Sequence, residues 1–298
     1  MTIVLTGGSG FIGTQLARKL LALGDTVIVV DRVAPSFTHE QLFFIQSDIT
    51  KEQLPFNVLE HTDAVVNLAG APIAGSWSPK GKEEILNSRI VSTRHIVESM
   101  HKAASRPTIL INASAVGYYG ERGDEELTER STKGTGFLSD VVAAWETEAQ
   151  RAEDFGTRVV CIRTAPVVGH GGMLAQLRRT APFGFLLSLS KNEFWQPWIH
   201  EEDIVNAYIF ALQTSTLHGP VNAAAPEAVS HQTFMHTLGA ALHRRVIGAL
   251  PGFLRRGEFF TELTKSQKVS PQLLIDKGFV FQYPTLKEAM QHAVQPTT

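Results

Sequence analysis

"TIVLTGGSGFIGTQLARKLLALG", Thr2 to Gly24, decides the fold. "TIVLTGG" is a short apolar run that ends in glycines, the pattern of a buried strand. "FIGTQLARKLLALG" carries Ile12, Leu16, Leu20 and Leu23 at helical spacing, and Gly24 stops it. Between the two, Gly8, Gly10 and Gly13 satisfy G-x-G-x-x-G, and Gly7, Gly10 and Gly13 satisfy the wider G-x-x-G-x-x-G. A glycine triplet alone is weak, but one that closes a strand and opens a helix is specific. Glycine permits the tight turn and lets the backbone approach a pyrophosphate. The helix that starts at Phe11 and Ile12 offers its free N–H groups and its dipole to an anion. Gly7, Gly10, Phe11, Ile12 and Gly13 are therefore predicted to bind a dinucleotide. A tight turn without a ligand is the rival reading.

The same grammar continues outward. "TVIVVDR" is a second strand, and Asp31 ends it 18 residues after Gly13. That is close to the ~20 residues expected for a ribose ligand. Asp31 suits the two ribose hydroxyls of NAD, whereas Arg32 suits the 2′-phosphate of NADP. Asp48 in "QSDIT" follows a third strand, "LFFIQSD", where it can meet the adenine amino group or cap the next helix. The fourth strand, "DAVVNLAG", runs out through Leu68, Ala69 and Gly70 into a stretch of small residues, which suits close backbone approach to a cofactor and equally any tight turn. A long helix runs between Lys80 and Ala104, with Lys82 and Arg89 as candidate positive charges near the cofactor and a solvated helix face as the rival reading for Lys82. "TILINAS" is a fifth strand, Phe137–Phe155 a helix and "RVVCIRTAPVVG" a sixth strand. The strands are continuous apolar runs rather than alternating ones, as expected when helices cover both faces of a sheet. The prediction is an α/β protein: a Rossmann-type, doubly wound parallel sheet over residues 1–168 and a smaller substrate lobe over 169–298. Residues 203–224 are predicted to return to the first domain.

Composition removes other classes. Of 298 residues, 43% are apolar and 19% charged, with a net charge of −2, so charge points to neither nucleic acid nor membrane. A basic cluster, Arg244, Arg245, Arg255 and Arg256, reads as a solvated face or an anion site in the C-terminal lobe. The single cysteine, Cys161, lies in an apolar strand, so no intrachain disulfide and no thiolate zinc site is expected. No His, Asp and Glu cluster has metal-ligand spacing, and the expected metal content is none. No window approaches the ~18 apolar residues of a membrane span, and a cytoplasmic protein is expected.

Taken together, these segments resemble the extended short-chain dehydrogenase/reductase superfamily. "TGGSGFIG" matches its cofactor loop, "NLAG" its fourth-strand motif, "SAVGYYG" its active-site Ser region and "WIHEEDIVNA" its Ile-His-x-x-Asp segment. "NLAGAPIAGSWSPKGKEEILNSR", "WETEA", "GPVNAAAPEAVSHQTF" and "LLIDKGFVFQYPTLKEAM" are similar to the bacterial and mitochondrial "epimerase family" subgroup. Members of this subgroup are also described as sugar-nucleotide epimerase-like or cell-division-inhibitor-like. The resemblance covers nearly the whole chain. It implies a Rossmann fold and a nicotinamide cofactor, NADP(H) more often than NAD(H). Two departures stand out. "FGFLLSLSKNEFWQPWIH" replaces a stretch that is often glycine-rich, and Asn112 stands where a hydroxyl residue is common.

The resemblance also implies a Tyr and, four residues later, a Lys on the helix that begins at Phe137. "FLSDVVAAWETEA" has neither, and offers Val141, Val142, Ala144 and Trp145 instead. A general acid–base group is worth ~10²–10⁴ in rate, so a replacement is needed. Ser114, Tyr118 and Tyr119 are the predicted catalytic residues. Ser114 would donate to the reacting oxygen and either tyrosine would supply the proton. Packing or substrate lining is the rival role for the tyrosines. Glu146 is expected to face inward or join a network, and His200 and Asp203 to be structural. Two functions follow. One is an NAD(P)-dependent oxidoreductase or epimerase-like enzyme acting on a polar small molecule, free or nucleotide-linked. The other is a non-catalytic NADP(H)-binding or redox-sensing protein of the same fold. In both, a small molecule is the expected partner.

Overall fold

The computed structural model describes residues 1–171, 185–251 and 256–295. The sheet strands are β1 (Thr2–Thr6), β2 (Thr26–Asp31), β3 (Leu42–Gln46), β4 (Ala64–Asn67), β5 (Ile109–Ala115), β6 (Arg158–Thr164) and β7 (Gly219–Ala223). The helices are α1 (Phe11–Ala22), α2 (Phe56–Leu59), α3 (Pro79–Lys102), α4 (Phe137–Gln150) and α5 (Glu201–Gln213), then α6 (His231–Ala241), α7 (Glu258–Leu263), α8 (Gln272–Asp276) and α9 (Leu286–Val294). The seven strands form one sheet in the order β7-β6-β5-β4-β1-β2-β3. The β1–β2, β1–β4, β2–β3 and β4–β5 pairs are all parallel. The order reverses at β1, the topological switch point of a doubly wound sheet, where such folds bind ligands.

Local chemistry accounts for the element ends. Ser78 caps α3 by accepting the Gly81 N–H, with Pro79 at its first position. α4 passes at Arg151–Phe155 into a 3-10 turn, closed by Gly156 with φ of 87°. β3 departs from the expectation of strands covered on both faces. It is the edge strand, and Phe43 and Phe44 are exposed.

The chain divides into two compact units. The first holds Met1–Ala115, Asp140–Arg163 and Val205–Val221. Its core packs Val4, Val30, Val65, Leu110 and Val159 of the strands with Ile96, Val97 and Met100 of α3. Cys161 lies fully buried in this core, and burial pushes its thiol well above the ordinary value. The second unit holds Val116–Ser139, Thr164–Ile204 and Asn222–Thr298. Its core packs Trp198 and Leu186 with Phe234, Met235 and Leu238 of α6 and Leu286 and Met290 of α9. Residues 116–139, placed by the sequence reading in the first domain, group instead with the second unit. Of the basic cluster, Arg255 lies outside the described residues, as does part of the loop-rich stretch after Gly169. Among the described residues, no helix is long and apolar enough to cross a membrane.

Candidate functional site

The glycine loop is built so that side chains cannot fit. A Cβ on Gly13 would stand 2.5 Å from the Gly7 carbonyl oxygen and 2.7 Å from Gly8 Cα. Gly7 has φ of +70°, and a Cβ there would meet Ala69 N and the Leu68 carbonyl carbon at 2.8 Å. The loop and the end of β4 therefore touch backbone to backbone. α1 starts at Gly10 without any side-chain cap, which leaves its first turn suited to an anion.

Asp31 braces this loop. Its carboxylate accepts the Ser9 N–H at 3.0 Å and the Arg32 N–H at 2.7 Å. Ser9 Oγ in turn donates to the Val33 carbonyl at 2.6 Å. The Arg32 side chain is exposed. Asp48, expected near adenine, is occupied by a local turn. It accepts the Thr50 hydroxyl at 2.6 Å and the Thr50 N–H at 3.2 Å and pairs with Lys51 at 3.2 Å. The Thr50 hydroxyl, above all, holds the Asp48 carboxyl below its ordinary value. The next helix, α2, has Pro55 at its N-cap, so Asp48 closes its own turn and does not cap a helix.

Asn67 anchors the "NLAG" segment. Its Oδ1 accepts the Thr6 hydroxyl at 2.7 Å and the Ala69 N–H at 3.2 Å. Its Nδ2 donates to Thr93 Oγ1 at 2.9 Å and to Asn112 Oδ1 at 2.7 Å. Trp145, near where a Lys was expected, donates its indole N–H to the same Thr93 hydroxyl at 2.9 Å. Val141, Val142 and Trp145 are buried. α4 thus fills the position of the absent pair with packing and one neutral hydrogen bond.

Arg89 lies just beyond Gly70, where a Cβ would come within 3.2 Å of its Cζ. It is 9% exposed. Its Nη1 donates to the Ala71 and Ile85 carbonyls, each at 3.1 Å, and its guanidinium lies 5.2 Å from the Trp145 ring centroid. Among the described residues it has no carboxylate partner. Burial lowers its pKa to about 10, which leaves it charged at neutral pH. A buried charge without a counterion is costly, by several kcal/mol, unless something outside the fold supplies one.

Ser114 ends β5, 4% exposed. Its hydroxyl donates to Glu146 Oε1 at 2.6 Å. Arg163 Nε donates to the same oxygen and Arg163 Nη2 to Oε2, both at 2.8 Å. Glu146 is 5% exposed and Arg163 2%. This corrects the expected role of Ser114. A serine has one proton to donate, and here it is committed to Glu146, so toward anything else Ser114 is an acceptor. Arg163 was missed in the sequence. A cation inside the apolar run "RVVCIRT" was the available signal, because a buried arginine in a strand needs a partner.

The tyrosines belong to the second unit, in a 3-10 turn at Val116–Tyr119. Tyr119 is fully buried, and its hydroxyl bonds Asn222 Oδ1 at 2.6 Å and the Thr128 carbonyl at 3.0 Å. Its proton is spent on structure, which removes Tyr119 as a donor. Tyr118 is half-buried, edge-on to Tyr119 with ring centroids 5.5 Å apart.

The second unit also gathers donors that sequence spacing hid. His170, Glu201 and His292 place one ligand atom each within 4.8 Å of one another, against the expectation of no metal cluster. As it stands the array is hydrogen-bonded. His170 Nδ1 meets Glu201 Oε1 at 2.5 Å. His200 Nδ1 accepts the Glu202 N–H, so its Nε2–H donates to His292 Nδ1 at 3.1 Å. Burial, then His292, lowers the His200 pKa to about 4, so it is neutral. Asp203 accepts the Gln282 and Tyr283 N–H groups and secures that segment.

Residues 3–224 match the NAD dependent epimerase/dehydratase family, and residues 254–293 match a domain of unknown function, DUF1731. Epimerase family protein SH2119 of Staphylococcus haemolyticus is 35% identical over 98% of each chain. The crystal structure of human epimerase family protein SDR39U1 (isoform 2) with NADPH is 30% identical, covers 98% of this chain and 99% of that one, and superposes with a TM-score of 0.84. A nucleoside-diphosphate sugar epimerase from Corynebacterium glutamicum is also 30% identical, covering 99% of this chain and 58% of that one, with a TM-score of 0.78. Both the glycine loop and its neighbours in space fall inside the matched region, and the chain belongs to the NAD dependent epimerase/dehydratase family.

Proposed function

We propose that the chain binds NADP(H) in the first unit and acts as an oxidoreductase or epimerase-like enzyme on a polar small molecule. The observation that carries this is Arg89, a buried guanidinium with no carboxylate partner among the described residues, set beside Gly70 in the segment that abuts the glycine loop. The cofactor phosphates supply the missing anion, and the uncapped start of α1 supplies further donors. Gly7, Gly10 and Gly13 keep the cradle open, and Leu68, Ala69 and Gly70 form its second wall. Bound nicotinamide supplies hydride donation or acceptance.

Asp31 is braced by two backbone N–H groups while the Arg32 guanidinium stands exposed without a partner among the described residues, which favours the 2′-phosphate. The similar human protein was crystallised with NADPH, which supports the same choice. The test is a thermal melt with NAD, NADH, NADP and NADPH. A ligand at a hundred times its dissociation constant adds about 2.7 kcal/mol. Wild type should shift most with NADPH, and Gly10→Val should lose the shift. No shift with any of the four defeats the reading.

A second reading has one observation in its favour: Trp145 and its hydrogen bond to Thr93 occupy α4 where a Lys was expected. On that reading the chain binds NADP(H) as a sensor without turnover. A cofactor-dependent melting shift with no reaction on any substrate supports it.

A further inference from the structure

We propose that Ser114, Glu146 and Arg163 form a proton-accepting relay that replaces the Tyr and Lys absent from α4, and that the site therefore takes a substrate hydroxyl. The proposal rests on the cofactor-dependent reading above. It deepens that reading by naming the group the substrate presents and the destination of its proton.

Three observations lead there. The first is position. Ser114 stands near the carboxyl end of β5, next to β4 and its "NLAG" wall, on the edge of the sheet where such folds bind ligands. The second is polarity. The Ser114 proton lies in a 2.6 Å bond to Glu146, so the remaining valence of Oγ is a lone pair. A lone pair receives an alcohol O–H and repels a carbonyl oxygen. The third is the state of the carboxylate. Arg163 donates to both Glu146 oxygens at 2.8 Å, the fork geometry that fits an ionised carboxylate. Glu146 is thus held as a base, and Arg163 is its positioning residue. An Arg–Glu strut joining α4 to β6 would need no serine. Here the pair continues to a hydroxyl near the carboxyl end of the neighbouring strand.

The substrate O–H bond breaks and its proton bonds to Ser114 Oγ. The original Ser114 proton passes to Glu146 Oε1, leaving a neutral acid beside Arg163. The lone pair left on the substrate oxygen forms the carbonyl as the carbon-bound hydrogen leaves, with its electron pair, to the oxidised dinucleotide. In the reverse direction Glu146 must first carry the proton.

One readout needs no cofactor. In the apo protein labelled with ¹³C-serine, the Ser114 hydroxyl proton should exchange slowly and resonate far downfield, as expected of a charge-assisted bond. Glu146→Gln should move it upfield, because the acceptor becomes neutral. A rapidly exchanging proton, or one unmoved in Glu146→Gln, overturns the relay. The second readout uses the NADP-loaded enzyme and a panel of secondary alcohols and sugars. Glu146→Gln should lower kcat by ~10²–10⁴ with little change in KM and remove the acid limb of the pH profile. Glu146→Asp should restore part of the rate. Ser114→Ala should be as slow as Glu146→Gln, and the double variant no slower, because the two act as a unit. Turnover unchanged in Glu146→Gln overturns the relay. So does cofactor binding without turnover on any alcohol. Failure to bind cofactor at all instead defeats the underlying reading, which keeps the two failures apart.

Discussion

Two arginines of the first unit are buried to a similar degree in opposite surroundings. Arg163 is 2% exposed and meets both oxygens of Glu146. Arg89 is 9% exposed and, among the described residues, meets carbonyls, a hydroxyl and the Trp145 ring. A charge taken out of water must find its counterion, and the place where it finds it shows its use. Arg163 finds its counterion inside the chain, so its charge is already satisfied and serves to hold Glu146. Arg89 finds none among the described residues, and its charge is open to an anion that arrives with a ligand. One arginine closes a network and the other marks a vacancy in the electrostatics of the fold.

Removing the counterion of Arg163 should produce the largest effect. Glu146→Ala strands a buried guanidinium and should cost about 3–5 kcal/mol of stability, read as a lowered midpoint in urea. A loss under about 1 kcal/mol would mean that Arg163 is not the closed pair described here.

Arg89→Met should do the reverse. The apo protein should keep its stability within about 1 kcal/mol or gain, because an uncompensated charge is replaced by an apolar chain of similar length. NADPH affinity should fall about a hundredfold, or 2.7 kcal/mol. Titration calorimetry and melting of the same variant measure both quantities. A strongly destabilised apo protein with normal NADPH affinity would cancel the contrast between the two arginines.

The second unit treats two buried histidines in a third way, by leaving them uncharged. Burial lowers both His200 and His231 to about 4. Their folded values lie below the unfolded one of 6.5, so the unfolded chain binds protons first as pH falls. This contribution is complete above about pH 6.5 and is lost between there and about pH 4. Unfolding at pH 5 should show a loss of roughly 2 kcal/mol for each histidine relative to pH 7. His231→Gln should flatten part of that slope, and an unchanged slope would mean that His231 is already charged in the fold.

The smallest effect should come from Arg32→Ala. It should weaken NADPH about tenfold, or 1.4 kcal/mol, and leave NADH nearly unchanged. Equal loss of both cofactors would place the 2′-phosphate elsewhere.

The cofactor half of the protein was legible in the chain because its determinants are local. Gly7, Gly10 and Gly13 lie within one turn between one strand and one helix, and their spacing is itself the structural requirement. Asp31 also followed from spacing, although only the structure shows that its carboxylate braces the Ser9 N–H. The absence of Tyr and Lys from α4 was equally legible, since an absent side chain needs no fold to be read. Asp48 was ambiguous between helix cap and ligand, and the structure shows a local turn closed on the adjacent Thr50, with the N-cap of the next helix at Pro55.

What replaces the absent pair was not legible. Ser114, Glu146 and Arg163 come from β5, α4 and β6, and 32 residues separate the first two. The sequence showed a serine, an inward-facing glutamate and a strand arginine, but not that they share one set of hydrogen bonds. It proposed Tyr119 as a donor, and burial against Asn222, 103 positions away, decided otherwise. The histidine and glutamate array escaped for the same reason, being gathered from positions 170, 200–202 and 292. Periodicity and glycine spacing record constraints between neighbours along the chain, and these determined the sheet and the cofactor loop. The direction in which a hydroxyl proton points depends on which distant acceptor the packed core brings within 3 Å of it, and only the tertiary structure decided that.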